Sequence, residues 1–227
     1  MKAIILAAGM WTRLGGQAPK PLTKLANGET ILQRQINALL NYIDKKDIYI
    51  VVGYKKEMIM NKFPDYNFIE NPFYKNTNTS KSLLRALNQI DEINDVLWLN
   101  GDVVFETNIL NAIIQFSSSC MAVNSKPVSD EEVKYNLNTN GTIKQVSKVI
   151  TDGLGEAVGI NKIAKIHLAE FKIHLAECND NDYFERGIEL YINKGLEIHP
   201  LDITSYYCNE IDDEKDLQNV NVNINKI

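Results

Sequence analysis

The chain predicts an α/β fold, a three-layer sandwich in which helices cover both faces of a mostly parallel, mixed sheet. Three observations carry this expectation. Residues 2–8 form a largely apolar run that ends at Gly9, as a strand buried on both faces does. Similar runs return at residues 47–53 (DIYIVVG) and 95–100 (DVLWLN). Segments with helical spacing separate them, and that order needs crossovers that place helices on both faces of one sheet.

The elements follow in order. Residues 30–42 carry Ile31, Ile36, Leu39 and Leu40 at helical spacing. The strand at 47–53 closes on Gly53, residues 55–62 read as a helix, and 67–70 as a short strand. A helix is expected at 80–91, with Ser80 as its N-cap and Leu83, Leu84 and Leu87 turned inward. The strand at 95–100 runs into Gly101-Asp102, and a helix returns at 107–117. Beyond Ser119 the pattern changes. Residues 121–124, 133–137 and 142–149 read as shorter strands, with Asn140-Gly141 a hairpin-type turn. The segment 156–161 follows, then helices at 167–178 and 183–194 and a strand at 197–202. A last helix is expected at 213–219, after which the Asn-rich tail should fray. No repeat or linker divides the chain, so residues 1–227 read as one domain, with halves at 1–119 and 120–227.

Composition narrows the function. With 44% hydrophobic and 23% charged residues the chain is an ordinary globular protein. A net charge of -5 argues against a general nucleic-acid binder, which carries a basic face. A local basic cleft stays open, because a phosphate site needs only a few cations. Cys120, Cys178 and Cys208 are odd in number and show no CxxC spacing, so they signal neither a zinc site nor a disulfide framework. Residues 3–9 are too short an apolar run for a signal peptide, and no segment approaches the ~20 apolar residues of a membrane span. A cytoplasmic, reducing location is the expectation. His167, His174 and His199 read as surface or packing residues, and no nucleophile has an adjacent base, which disfavours covalent hydrolase chemistry.

In an open parallel sheet, ligands bind beyond the carboxyl ends of the strands. The first candidate is Ala7-Ala8-Gly9, where small residues let the backbone approach a base or phosphate closely. Arg13 and Lys20 follow on the same loop and could reach a triphosphate, Arg as a fork and Lys as a compact charge; a strand-loop with two solvated cations is the simpler reading. The Walker pattern is absent, and Met10-Trp11 breaks the dinucleotide fingerprint. Asp102, at the end of a strand, is either a Mg²⁺ ligand beside phosphates or a helix cap. In Cys208-Asn209-Glu210-Ile211-Asp212-Asp213, Asp213 could cap the last helix and leave Asp212 free for metal.

Taken together these residues resemble the sugar-phosphate and alcohol-phosphate nucleotidyltransferases. The resemblance rests on Ala8-Gly9-Met10-Trp11-Thr12-Arg13-Leu14, Pro19-Lys20-Pro21-Leu22, Gly101-Asp102 and the late Glu210-Ile211-Asp212. Within that family the loop is most similar to cytidylyltransferases of small phosphorylated alcohols such as phosphocholine and inositol phosphate. The segments 76–83 and 155–160 resemble the family's nucleotide and acceptor loops, and 182–185 resembles a carboxylate-bearing helix lining the acceptor pocket. The family's second loop glycine is Trp11 here, so the loop lacks the usual backbone freedom at that point.

The resemblance implies a Rossmann-like, GT-A-like nucleotidyltransferase fold, with residues 1–119 binding NTP and 120–227 binding the acceptor. It implies transfer of a nucleoside monophosphate, CMP from CTP, to a small phosphomonoester with release of pyrophosphate, serving surface polysaccharide or lipid head-group synthesis. Leu6, Ala7, Ala8, Gly9, Asn78, Ser82 and Gly101 would bind the nucleotide. Arg13 would hold the β/γ-phosphates, and Lys20 would bridge the α-phosphate and the acceptor phosphate. Asp102 and Asp212 would hold Mg²⁺ as the cofactor. Glu156, Asp182 and Glu185 would line the acceptor side, where an acidic wall suits a cationic head; Asp182 and Glu185 could equally be first-turn acids favoured by the helix dipole. Hexose-1-phosphate, heptose-phosphate and phosphorylated amino-acid acceptors stay open, and a homodimer is compatible. A metal-dependent GT-A glycosyltransferase is the rival from another class, although it would normally carry a DxD-type pair.

Overall fold

Strand β1 (Lys2–Ala7) is buried at every position and lies inside the main sheet of the computed structural model, which describes residues 1–10, 18–129 and 131–226. It pairs in parallel with β2 (Ile48–Val52) on one side and β4 (Val96–Asn100) on the other. The short β3 (Asn67–Glu70) continues the sheet in parallel beyond β2. On the far side of β4 the long β9 (Gly155–Ile163) runs antiparallel, then β6 (Cys120–Asn124) pairs antiparallel with β9, and β10 (His199–Asp202) lies parallel to β6. A hairpin of β7 (Lys134–Leu137) and β8 (Ile143–Ser147) extends from β9. The chain moves outward from β1 through β2 and β3 and then returns to the opposite side of β1 for β4. That reversal makes the β1/β4 carboxyl ends a switch point, where such sheets open a crevice.

Helices follow from the alternation of side chains along the strands. Ala3, Ile5 and Ala7 face one core, shared with Leu32, Ile36 and Leu39 of α1 (Ile31–Leu40) and Ile109, Leu110 and Ile113 of α4 (Asn108–Gln115). Ile59 of α2 (Lys56–Lys62) joins the same side. Ile4, Leu6 and Ala8 face the other core, with α3 (Thr79–Leu87), α5 (Lys165–Glu177) and α6 (Phe184–Asn193). There Trp98, almost fully buried, stacks on Phe171 at 5.4 Å and meets the Phe184 edge at 5.7 Å. Aromatic contacts of this kind are among the larger single contributions to a core. The predicted α/β sandwich with a mostly parallel mixed sheet is therefore present.

Four expectations are corrected. The cap of α3 is Asn78, whose side chain accepts from Thr79 N at 2.8 Å, whereas Ser80 is buried inside the helix. The residues around Lys20 adopt a short 3₁₀ turn, Lys20–Leu22, which tolerates Pro21 because its first N–H groups need no internal partner. Two three-residue strands unforeseen in the sequence, β5 (Val103–Phe105) and β11 (Cys208–Glu210), form a separate antiparallel ladder. The Asn-rich tail does not fray. Helix α7 (Glu214–Asn223) continues into a 3₁₀ turn, Ile224–Lys226, and buries Val220 and Ile224 against Leu25, Ile31, Val104 and Ile211. Among the described residues no helix is long and apolar enough to cross a membrane.

Candidate active site

A cleft of about 560 Å³ opens at the β1/β4 switch point, a size ordinary for small-molecule sites. Gly101 makes the junction possible. Its N–H donates to the Leu6 carbonyl at 3.0 Å, and a Cβ there would stand 2.6 Å from that same oxygen. Leu6, Ala7, Gly9, Asn78 and Gly101 line the cleft. A smaller adjoining recess shares Leu6, Gly9 and Asn78 and adds Ala8, Tyr74 and Ser82. Asn78 caps α3, and the Ser82 hydroxyl accepts from Asn71 Nδ2 at 3.0 Å. Arg13 and Trp11 lie outside the described residues.

The acidic end of the cleft is assembled by the small β5–β11 ladder. Glu210 pairs with Val103, and Ile211 N donates to the Asp102 carbonyl at 3.1 Å. Asp102 is thereby brought beside Glu210 and Asp212 across the whole length of the chain. Asp213 takes the N-cap of α7 in a reciprocal capping box with Asp216, whose carboxylate also accepts from Asp212 N at 2.9 Å. The Asp212 carboxylate is thus left for the cleft, as the sequence suggests. Lys20 Nζ lies 2.7 Å from Asp102 Oδ2 and 2.6 Å from Asp212 Oδ1. Burial works against the Lys20 charge, but Asp102 and then Asp212 outweigh it and hold its pKa above the ordinary lysine value. The charge of Asp102, followed by burial and Asp212, drives the Glu210 pKa well above the usual carboxylate range.

One oxygen from each of Asp102, Glu210 and Asp212 lies within 4.8 Å of the others, and Asp102 Oδ1 is buried with no partner. An all-oxygen set with an orphaned carboxylate oxygen fits a hard divalent cation such as Mg²⁺. Glu210 received no role from the sequence, although it stands two residues before Asp212.

Glu156 also lines the cleft and accepts from Asn124 Nδ2 at 2.8 Å, and burial raises its pKa, with the Glu132 and Asp212 charges acting in the same direction. Glu185 also lines the cleft; it is buried, its Oε2 has no partner, and burial pushes its pKa up to about 7. Asp182 does not line it. Its carboxylate accepts from Asn179 N at 2.7 Å and closes the turn before α6. Glu131, Glu132 and Lys148 line the cleft without having been foreseen, since nothing in their spacing marks them, and Tyr183 of the segment 182–185 lines it too. The histidines pack elsewhere: His174 Nδ1 meets Glu177 at 2.9 Å and His167 Nδ1 meets the Ser119 hydroxyl at 3.0 Å.

Residues 3–160 match the model of the MobA-like NTP transferase domain. The chain belongs to this family. Among relatives of this nucleotidyltransferase, the bifunctional protein GlmU of Methanococcus maripaludis is 42% identical over 113 residues, which cover 48% of the chain and 26% of GlmU. The CMP-5'-(3-aminopropyl)phosphonate synthase of Streptomyces rubellomurinus is 31% identical over 137 residues, 56% of the chain and 21% of that protein. The matched segments thus span only about a quarter of these curated relatives. The inositol-1-phosphate CTP transferase from T. maritima superposes with a TM-score of 0.79 at 16% identity, covering 95% of this chain and 90% of that one. The CTP:phosphocholine cytidylyltransferase from Streptococcus pneumoniae gives 0.79 at 19% identity, with 98% of each chain covered. At these identities the likeness concerns the fold.

Proposed function

We propose that this nucleotidyltransferase moves CMP from CTP to a small phosphomonoester, giving a CDP-linked product and pyrophosphate. The observation that carries the reading is Lys20, fixed between Asp102 and Asp212 at the switch point. A phosphoryl-type transfer asks the protein for positioning and charge neutralisation rather than covalent chemistry. Lys20 is the cation aimed at the junction of α-phosphate and acceptor phosphate, and Gly101 with Leu6–Gly9 receives the nucleotide. Arg13 takes the β/γ-phosphates. Asp102, Glu210 and Asp212 would hold Mg²⁺, which supplies neutralisation of the polyphosphate charge when bound. Residues 1–119 serve the nucleotide and 120–227 the acceptor.

CTP is preferred because two structural neighbours and the S. rubellomurinus relative carry CTP or CMP in their names. The GlmU relatives favour a second reading, a sugar-1-phosphate acceptor with another NTP. Glu156 and Glu185 give the acceptor side an acidic wall that suits a cationic head. Pyrophosphate release measured with each of four NTPs against a panel of phosphomonoesters decides between them. CTP with an amino-alcohol phosphate is the expected pair. Release only with UTP and a hexose-1-phosphate would select the second reading. No release, together with UDP-sugar consumption, would point to a glycosyltransferase.

A further inference from the structure

Among the described residues two cations line the cleft, Lys20 and Lys148. Lys20 is committed to Asp102 and Asp212, whereas Lys148 is set against a different partner. It follows β8, and its Nζ lies 5.0 Å from the centre of the Tyr183 ring. Tyr183 immediately precedes α6, and Glu185 lies two residues on, 6% exposed and with Oε2 unpartnered. The Lys148 charge acts favourably on the Glu185 carboxylate.

We propose that the Tyr183 ring face and the Glu185 carboxylate form a subsite for a cationic group on the acceptor, with Lys148 as a tethered competitor that the acceptor displaces. An aromatic face beside a desolvated carboxylate attracts an ammonium by both quadrupole and charge. Glu131, Glu132 and Glu156 line the same cleft, so a single lysine does not turn it into an anion site. Displacement is cheap because both partners sit in water: Tyr183 is 45% exposed, and Lys148 is exposed. An acceptor without a cation gains nothing by evicting Lys148, so the lysine acts as a filter on the acceptor's far end. Calling the occupant an acceptor rests on the nucleotidyl-transfer reading.

The test uses the full chain and Lys148→Met, which keeps the apolar stem and removes the charge. With CTP, the ratio of KM for aminoethyl phosphate to KM for hydroxyethyl phosphate is expected to fall about two- to fivefold, the size of an exposed cation–π contact. Lys148→Arg is expected to restore the wild-type ratio. Independently of catalysis, tetramethylammonium followed by saturation-transfer NMR should bind about two- to fivefold more tightly to Lys148→Met and more weakly to Glu185→Gln. A rise in KM for both acceptors would overturn the proposal and make Lys148 a ligand of the acceptor phosphate. Unchanged or weaker tetramethylammonium binding in Lys148→Met would overturn it equally. If the wild type releases no pyrophosphate with any pair, the transfer reading fails, and the NMR comparison still decides the subsite.

Discussion

The Ser80 hydroxyl donates to the Asp182 carbonyl at 2.6 Å, joining residues 102 positions apart. The same seam includes Asn78 N donating to the Asp180 carbonyl at 2.7 Å and Phe184 N donating to Thr79 Oγ1 at 3.0 Å. The start of α3, whose Asn78 and Thr79 line the cleft, is therefore stitched to the start of α6, which carries Glu185. Ser80→Ala removes one buried stitch and should lower stability by about 1–2 kcal/mol in urea denaturation. Initial rates should show the acceptor KM rising more than the NTP KM. Equal changes would mean that the seam does not set the relation between the two subsites.

Lys20→Ala should lower turnover about 10²–10³-fold, as loss of one aimed charge does in comparable sites. NTP affinity, measured by equilibrium titration, should change far less. Lys20→Arg should not restore the rate, because a planar guanidinium cannot replace a compact ammonium seated 2.6–2.7 Å from two carboxylates. Parallel losses of turnover and binding would remove Lys20 from the transfer step.

Chelation by EDTA should stop transfer, and Glu210→Gln should raise the Mg²⁺ concentration needed for half-maximal rate by about tenfold or more. The same change relieves repulsion among Asp102, Glu210 and Asp212, so metal-free Tm should rise. A variant with unaltered Mg²⁺ dependence would exclude Glu210 from the metal set.

Glu185 gives a pH signature. Burial raises its pKa from the ordinary 4.5 to about 7, so the folded chain holds a proton that the unfolded chain releases. Its contribution is complete below about pH 4.5 and is lost as pH rises through about 7, by about 3 kcal/mol at most. Glu185→Gln should flatten this decline in stability curves taken between pH 5 and 8. Curves of identical slope for the two proteins would show that Glu185 does not titrate in that window.

Much of the layered fold is legible because burial on both faces writes itself as apolar runs, and β1, β2 and β4 are such runs. The β5–β11 ladder is not. Three-residue strands have no room for a period, and Val103 finds Glu210 only through long-range pairing. That one gap hid Glu210. The α3 cap slipped by two because Asn78, Thr79 and Ser80 are all residue types that cap helices, and only the backbone selects among them. Asp182 and Glu185 look alike as acids at a helix start, yet one closes a turn and the other is buried in the cleft wall. Spacing carries no record of that difference. The tail misled for the opposite reason: Val220 and Ile224 are sparse among asparagines, yet two apolar contacts suffice when a waiting surface at Leu25, Ile31 and Ile211 receives them.

The 192-residue separation of Lys20 and Asp212 also has a meaning in time. At about 5–20 residues per second, a ribosome makes Lys20 roughly 10–40 s before Asp212. From the making of β5 until β11 follows, β5 has no β11 beside it, and its edge is open to other strands. A nascent chain halted between β5 and β11 would hold the β1/β4 end of the cleft and Asp102 without Glu210 and Asp212. Such an arrested product should be inert as an enzyme and prone to association, so the centre is completed only when β11 and the start of α7 have been made.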